Sequence, residues 1–314
     1  MKVVVTGAAG FIGSHLTESL LADGHAVVGV DAFVDYYPRA QKEANLRKAR
    51  EAFPTRFKLL EGQLQDLPLT SVLEGAGQVF HLAAQAGVRA SWGRDFALYT
   101  DHNVLATQRL LEAAVAAGVP RVVYASSSSV YGDARTLPIR EDAPCRPLSP
   151  YGVTKLAAEH LALLYERNFG LPVVSLRYFT VYGPRQRPDM AFHRFLKAAR
   201  DRSPIQVFGD GRQTRDFTFV DDIVRTTRAA ADQGRPGCVY NVGGGERIAL
   251  NDVLDLIGEL TGQPLEVRSE GAQKGDMRDT FADTAAARRD LAFRSTVTLR
   301  QGLAREWDWI KELR

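Results

Sequence analysis

Short runs of consecutive apolar residues alternate along the chain with longer segments of helical periodicity. Short apolar runs of this kind are typical of strands that are buried on both faces of a sheet. Strands are predicted at residues 2–6, 26–30, 57–61, 78–82, 121–126, 173–178 and 238–242, and helices at 14–22, 103–117 and 154–168. The alternation predicts an α/β protein with a doubly wound parallel sheet and right-handed crossovers.

The composition narrows the class of protein. A chain of 314 residues that is 45% hydrophobic and 25% charged is ordinary for a globular protein with a sizeable core. A net charge of +3 is too small to favour nucleic-acid binding. Two cysteines form neither a disulfide framework nor a metal motif, and we see neither a signal peptide nor a membrane-spanning stretch. We therefore expect a cytoplasmic protein with no metal, nucleic-acid or membrane partner.

A glycine-rich turn links the first predicted strand to the first helix, with the spacing G-x-x-G-x-x-G. Gly7 permits the tight turn, Gly10 lets the backbone approach a pyrophosphate, and Gly13 lets helix and strand pack closely. Asp31 ends the second strand and can accept hydrogen bonds from ribose hydroxyls, whereas it would repel a 2′-phosphate. This arrangement predicts a Rossmann domain that binds NAD rather than NADP.

Tyr151 and Lys155 lie four residues apart on a predicted helix, and therefore on the same face. An ammonium about 4 Å from a phenol favours the phenolate by roughly 4 kcal/mol at an effective dielectric of about 20. This corresponds to a pKa lower by up to about three units, which would make the tyrosine a base near neutral pH. The spacing by itself fits a solvated Tyr–Lys pair equally well, so the hypothesis depends on its surroundings.

Several motifs together resemble the extended short-chain dehydrogenase/reductase superfamily, and within it the nucleotide-sugar epimerases and dehydratases. They are the glycine turn, the serines before Val130-Tyr131-Gly132, the Tyr151/Lys155 pair and Arg177-Tyr178-Phe179. The resemblance covers nearly the whole chain. It implies an NAD cofactor, a UDP-sugar substrate and a homodimer formed through the helices near Asn103 and Thr154.

The resemblance also assigns roles in the cofactor site. It makes Tyr151 the base, Lys155 the partner of the nicotinamide ribose, and Ser127 the residue that binds the reacting hydroxyl. His81 either lies beside the nicotinamide ribose or is only a core histidine. The residues implied to bind NAD are Gly7, Gly10, Phe11, Ile12, Gly13, Asp31, Asp66, Leu67, Leu82, Ala83, Ala84, Tyr151, Lys155 and Tyr178.

The implied substrate site lies in the C-terminal part of the chain. Gln206 and Phe208 match the uridine contacts of the family, and Arg215 and Arg278 match ligands of the diphosphate. A plain core role for Phe208 and a surface role for Arg215 are the alternatives. The division that follows is an NAD-binding domain at 1–178 with about 216–246, and a smaller α/β nucleotide-sugar-binding domain at 179–215 and 247–314.

The positions before Val130 bear on the reaction. The related 4,6-dehydratases carry an Asp-Glu pair there and UDP-glucuronate decarboxylases a Glu, whereas this chain has Ser128-Ser129. Elimination therefore lacks its acid and base, which favours an epimerase that oxidises C4 and returns the hydride to the other face of the sugar.

The substrate is predicted from two further segments. The run from Thr180 to Met190 and Asp35-Tyr36-Tyr37 resemble UDP-glucuronate 4-epimerases, while UDP-galactose 4-epimerases have Asn at the position of Thr180. A C6 carboxylate needs hydroxyl donors and a cation, which are available from Ser128, Ser129, Thr180 and Arg187. A UDP-glucose/UDP-galactose epimerase, a UDP-N-acetylhexosamine epimerase and a non-catalytic NAD sensor are the alternatives.

Overall fold

Thirteen β-strands occur in the computed structural model, which describes residues 1–271 and 273–313. The strands are β1 (Lys2–Thr6), β2 (Ala26–Asp31), β3 (Phe57–Glu61), β4 (Ala76–His81), β5 (Val122–Ser127), β6 (Val173–Tyr178), β7 (Val181–Tyr182), β8 (Ile205–Phe208), β9 (Thr214–Asp216), β10 (Thr218–Phe219), β11 (Val239–Val242), β12 (Arg247–Ala249) and β13 (Val267–Glu270). Seven of them form one parallel sheet in the order β11-β6-β5-β4-β1-β2-β3. The predicted doubly wound sheet is confirmed, and the seven predicted strands differ from the observed ones by at most two residues at either end.

The helices fill the intervals between these strands. They are α1 (Phe11–Ala22), α2 (Arg39–Ala52), α3 (Leu69–Leu73), α4 (Phe96–Tyr99), α5 (Ala106–Ala116), α6 (Pro150–Phe169), α7 (Ala191–Asp201), α8 (Val220–Gln233), α9 (Leu250–Thr261), α10 (Ala285–Leu291) and α11 (Leu299–Glu312). A π-helical segment, Thr100–Leu105, joins α4 to α5, so the helix predicted at 103–117 begins within irregular helical structure. None of the helices in the described ranges is long and apolar enough to cross a membrane.

Two hydrophobic cores lie on opposite faces of the sheet. Val3 and Val5 of β1 belong to the core that α1 and α8 cover, whereas Val4 belongs to the core under α5 and α6. Successive side chains of a strand point to opposite faces, so one apolar strand contributes to both cores. This explains why the strands are continuous apolar runs.

The C-terminal part of the chain covers the carboxyl ends of these strands with small sheets. β8 pairs with β13, β9 with β12, and β7 with β10. The core on the α1 side continues without a break into α7, α9 and α11. β11 then returns to the edge of the large sheet beside β6, while the exact domain boundaries stay a prediction.

Candidate active site

The glycine turn after β1 brings three backbone segments into close contact. Gly7 has φ of +71°, and a Cβ there would lie 2.8 Å from the backbone nitrogen of Ala83. A Cβ on Gly13 would lie 2.0 Å from the carbonyl oxygen of Gly7. Within the described residues no side chain caps α1 at Gly10, so the N–H groups of its first turn are free to bind an anion.

Asp31 is held by backbone donors at the end of β2. One of its carboxylate oxygens accepts a hydrogen bond from the N–H of Ala9 and the other from that of Phe33, both at 2.9 Å. Burial raises the pKa of Asp31, and these two N–H groups and Lys42 oppose the increase. The carboxylate is therefore fixed in orientation where the glycine turn meets β2.

A cavity runs from Asp31 to α6 across the carboxyl ends of the strands. Twelve of the fourteen residues predicted to bind the cofactor line it: Gly7, Gly10, Phe11, Ile12, Gly13, Asp31, Leu82, Ala83, Ala84, Tyr151, Lys155 and Tyr178. Asp66 and Leu67 do not line it; Gly62 to Gln65 do instead. Because β3 ends at Glu61, the first residues past the strand reach the cavity, and a turn then carries Asp66 to the surface.

Helix α6 presents Tyr151 and Lys155 in its first two turns. Ser149 caps the helix by accepting a hydrogen bond from the N–H of Gly152 at 3.1 Å, and Pro150 occupies the first turn, where its missing N–H is harmless. Lys155 is buried, donates to the carbonyl oxygen of Ala125, and lies 4.6 Å from the ring centroid of Tyr124. Burial lowers the pKa of Lys155 to about 7, against the opposing charge of Glu159.

The surroundings of Tyr151 differ from the sequence-based expectation. Burial raises its pKa, and the groups that lower it are the Arg187 guanidinium and the Ser127 hydroxyl. The sequence predicts that Lys155 lowers the pKa of Tyr151, but burial disfavours the charged form of Lys155, and its ammonium donates to a backbone carbonyl. The Arg187 guanidinium is the group that lowers the pKa of Tyr151 most, although burial outweighs it.

A second cavity of about 800 Å³ opens beside Tyr151, a size typical of small-molecule sites. Eight of the nine residues predicted to contact substrate, with Ser127 counted among them, line it: Ser127, Ser128, Ser129, Thr180, Arg187, Gln206, Phe208 and Arg215. Ser127 begins a short 3₁₀ turn, Ser128–Val130, in which its hydroxyl accepts from the N–H of Ser129 at 3.1 Å. This turn directs the serine run toward the cavity.

Arg187 borders both cavities and is ion-paired. Its Nε and Nη2 each donate to Asp189 at 3.0 Å, and the Tyr36 hydroxyl donates to the same carboxylate at 3.2 Å. The Arg187 side chain is only 22% exposed. The loop after β2 therefore reaches the loop after β7 over the point where the two cavities meet.

The far end of the second cavity is aromatic and cationic. Two guanidinium groups lie close to the ring of Phe208, that of Arg89 at 4.1 Å and that of Arg194 at 5.6 Å from the ring centroid. Arg215 donates hydrogen bonds to the carbonyl oxygens of Thr214, Met277 and Arg278. Arg278 does not line the cavity, because its guanidinium pairs with Asp210 at 3.1 Å on the surface.

Comparison with known proteins identifies the family. Residues 3–243 match the model of the NAD dependent epimerase/dehydratase family. The chain belongs to this family. It is 44% identical to an uncharacterized UDP-glucose epimerase, YtcB, of Bacillus subtilis, over 100% of this chain and 99% of that protein. It is 38% identical to a UDP-glucuronate 4-epimerase of Thermodesulfobacterium geofontis, over 98% and 96% of the two chains.

A solved structure extends the similarity to three dimensions. The UDP-glucuronic acid 4-epimerase of Bacillus cereus, in complex with UDP-glucuronic acid and NAD, is 43% identical and superimposes with a TM-score of 0.96 over the full length of both chains. NAD is the cofactor of the family, and the geometry here fits a dinucleotide: a turn in which a Cβ would clash, uncapped N–H groups and a fixed carboxylate. No group of three or more potential metal ligands occurs in the described residues.

Some members of the site were missed from sequence. Arg89 carries no recognisable sequence pattern, and the sequence predicts Asn103 only as the start of a helix at a dimer interface. The π-helical segment points the amide of Asn103 at the backbone of Gln85 and at the hydroxyl of Thr154. It thereby joins the cavity-lining loop after β4 to α6. His81 is a buried core residue between the hydroxyls of Thr6 and Thr107.

Proposed function

We propose that this protein is a UDP-glucuronate 4-epimerase that interconverts UDP-glucuronate and UDP-galacturonate with tightly bound NAD. The observation that carries the proposal is the position of Arg187, which lines both cavities together with Tyr151. A sugar whose 4-hydroxyl faces Tyr151 carries its C6 group on C5, the ring carbon next to C4. A cation beside this base therefore matches a C6 carboxylate.

The chemical roles follow from the positions of the side chains. Tyr151 takes the proton of the 4-hydroxyl, and Ser127 holds that hydroxyl by a hydrogen bond. NAD, when bound, would supply the hydride acceptor and donor for C4. Lys155 would hold the nicotinamide ribose, and the cavity would let the 4-keto sugar turn and present its other face to the cofactor. Tyr151 then returns the proton to the oxygen at C4.

Elimination is disfavoured by the state of the carboxylates. In the described part of the chain, the two that line the substrate cavity are Asp189 and Asp276, and each pairs with an arginine. Ser128 and Ser129 occupy the positions where dehydratases carry their acid pair. The cavity therefore supplies hydroxyl donors where elimination would need a proton-transfer group.

The uronate substrate brings a hazard that the site must control. A 4-keto uronic acid is a β-keto acid, which loses CO₂ when the bond to the carboxylate aligns with the ketone π system. Ser128, Ser129, Thr180 and Arg187 line the same cavity and supply three hydroxyl groups and a cation. We propose that they hold it close to the plane of the ketone, where alignment is poor, so that the hydride returns before CO₂ is lost.

One observation favours a second candidate, UDP-glucose/UDP-galactose 4-epimerase. Asp189 already accepts two hydrogen bonds from Arg187. This ion pair neutralises much of the arginine's positive charge, which suits an uncharged C6 hydroxyl. However, Arg187 donates to Asp189 through Nε and Nη2, so Nη1 has no partner among the described residues and stays available for a carboxylate. We therefore rank the uronate first.

Product analysis separates these candidates. The purified protein is incubated with UDP-glucuronate, UDP-glucose or UDP-N-acetylglucosamine, and the mixture is followed by NMR while CO₂ is measured. We expect UDP-galacturonate with little CO₂. Turnover of UDP-glucose without turnover of UDP-glucuronate would establish the second candidate, and bound NAD without turnover of any sugar would indicate a non-catalytic sensor.

We also propose that the protein is a homodimer. Large apolar side chains are 40% exposed or more along residues 92–105, and others on the neighbouring α6; they are Trp92, Phe96, Leu98, Leu105, Val153 and Leu164. Exposed apolar area of this kind is typical of protein interfaces. Light scattering should give about twice the monomer mass, and a Phe96→Glu variant should be monomeric. A monomeric wild type would contradict the proposal.

The cytoplasm is the proposed compartment. Cys145 and Cys238 are both free and partly buried. Free thiols are the normal state of cysteines in a reducing compartment. Fractionation of cells that express the tagged protein tests this proposal, and recovery in an oxidising compartment would contradict it.

A further inference from the structure

A buried cluster of hydrogen bonds lies directly beneath the catalytic pair, around Glu159. Its carboxylate accepts from Arg177 Nη2 at 2.6 Å and from Arg177 Nε at 3.0 Å. It also accepts from the Ser126 hydroxyl at 2.6 Å. The side chains of Glu159 and Arg177 are 1% and 6% exposed. Removing one partner of a buried ion pair leaves the other charge buried without a partner, which is strongly destabilising. A buried pair at this position therefore suggests a role beyond packing.

Hydrogen bonds of this cluster hold α6 in one position against the end of β5. Tyr151, Lys155 and Glu159 follow one another at intervals of one helical turn. Three consecutive residues of β5 face them: Ala125 accepts from Lys155, Ser126 donates to Glu159, and Ser127 lies against Tyr151. A slip or tilt of the helix would break all of these relationships together.

Arg177 connects Glu159 to two further strands of the sheet. Its Nη1 donates to the Tyr131 hydroxyl at 2.6 Å, and Tyr131 donates to Asn241 of β11 at 2.7 Å. Three adjacent strands, β5, β6 and β11, are thereby connected to one carboxylate of α6. The short serine turn that precedes Tyr131 lines the substrate cavity.

We propose that Glu159 is a positioning residue of the active site, which fixes α6 against β5 so that Tyr151 and Lys155 stand correctly relative to Ser127. It touches neither cavity, since it is not among the residues that line them. It acts through the helix that carries the pair and through its charge on Lys155. Because this role concerns the proposed epimerase, it rests on that activity being present in the wild type.

The charge of Glu159 gives the role a distinct pH signature. The titratable and charged groups that face Glu159 and Lys155 are Tyr124, Tyr131, Cys145, Tyr151, Arg177 and His81. Burial raises the pKa of the tyrosines and of the thiol, and lowers that of His81 to about 3. Lys155, at about 7, is therefore the member that titrates in the working range.

Glu159→Gln, Glu159→Asp and Ser126→Ala test the proposal in the NAD-loaded protein. The rate of NADH formation in a single turnover with UDP-glucuronate is measured from pH 5 to 9, along with kcat, KM and the melting temperature. The pKa of Lys155 is read directly from ¹³C-lysine NMR, assigned with a Lys155→Arg variant. Asp222→Asn is the matched control, because it also disturbs a buried carboxylate that Thr296 and Arg225 contact, on α8.

We expect Glu159→Gln to lower kcat at least tenfold, with KM changed by less than about threefold. Because the negative charge of Glu159 raises the pKa of Lys155, its loss should also lower that pKa and move the alkaline limb of the rate to lower pH. Glu159→Asp should restore the pH limb but not the full rate. Ser126→Ala keeps the ion pair but also alters the lining of both cavities; it should lower kcat while KM and the alkaline limb of the rate stay unchanged.

An unchanged Lys155 pKa in Glu159→Gln, with a loss of kcat no larger than that of Asp222→Asn, would overturn the proposal. If Glu159→Gln does not fold, unchanged kcat in Ser126→Ala would overturn it. Wild-type protein without turnover would instead refute the proposed epimerase, while the NMR shift would still report on the Glu159–Lys155 pair.

Discussion

The ammonium of Lys155 donates its hydrogen bond to the carbonyl oxygen of Ala125, within β5. A buried lysine directed at a neutral acceptor carries a large desolvation penalty, which agrees with its pKa of about 7. The lysine of the Tyr151/Lys155 motif is thus held by the strand beside it. Burial of this ammonium therefore costs the protein stability.

Lys155→Met should abolish activity and stabilise the protein without its cofactor. A fall in pKa from 10.5 to about 7 corresponds to roughly 5 kcal/mol at ~1.4 kcal/mol per pH unit. Loss of the bond to Ala125 offsets about 1–3 kcal/mol, which leaves a net gain of roughly 2–4 kcal/mol. The unfolded chain binds this proton up to about pH 10.5, so wild-type stability rises between pH 7 and 10.5.

Urea unfolding of both proteins at pH 6 and 9 measures this gain. It should be largest at pH 6 and shrink toward pH 10. A variant less stable than the wild type at pH 6 would show that the lysine is not strained by burial.

His81 should make the protein sensitive to acid. Its pKa falls from 6.5 to about 3 because the ring is fully buried. Above pH 6.5 His81 is neutral in both states and costs no stability. As pH falls toward 3, the unfolded chain binds a proton that the folded protein does not, which lowers the free energy of unfolding by about 2 kcal/mol at pH 5. Urea unfolding at pH 7 and 5 should show this slope reduced in His81→Gln and retained in His160→Gln, an exposed control on α6. Equal slopes in all three proteins would contradict the assignment.

Gly13→Ala should destroy NAD binding, since the added Cβ would stand 2.0 Å from the carbonyl oxygen of Gly7. The glycine turn would have to open, which removes the N–H groups aimed at the pyrophosphate. Gly258→Ala is the matched control, because the nearest atom to its Cβ is 3.8 Å away and α9 should gain up to about 1 kcal/mol. Cofactor content after purification and thermal unfolding measure both effects; full NAD occupancy in Gly13→Ala would refute the assigned turn.

Arg187→Met should discriminate between the two substrate hypotheses. Loss of a charged hydrogen bond is worth roughly 10- to 100-fold in kcat/KM, and we expect this loss for UDP-glucuronate. Turnover of UDP-glucose should change less, and the share of UDP-glucuronate lost as CO₂ should rise. Asp189→Asn is the control that keeps the cation, so it should retain uronate turnover. Equal losses for both sugars would remove the case for a carboxylate at this position.

The sequence determined the sheet and the cofactor turn. Apolar runs such as Val3-Val4-Val5 have one stable place, between two layers of helices, and a glycine turn such as Gly7 to Gly13 has few conformations open to it. Local pattern was therefore sufficient for the fold, for the cofactor class and for the face that joins Tyr151 to Lys155.

Tertiary structure decided the electrostatics and the contacts between distant segments. Arg187 pairs with Asp189 beside Tyr151, Arg89 stacks on Phe208, and Arg278 turns to the surface. No periodicity encodes these relationships, because they join residues from separate loops whose spacing along the chain is arbitrary. The pKa of Lys155 likewise depends on how deeply α6 is buried against β5, which only the packed molecule determines.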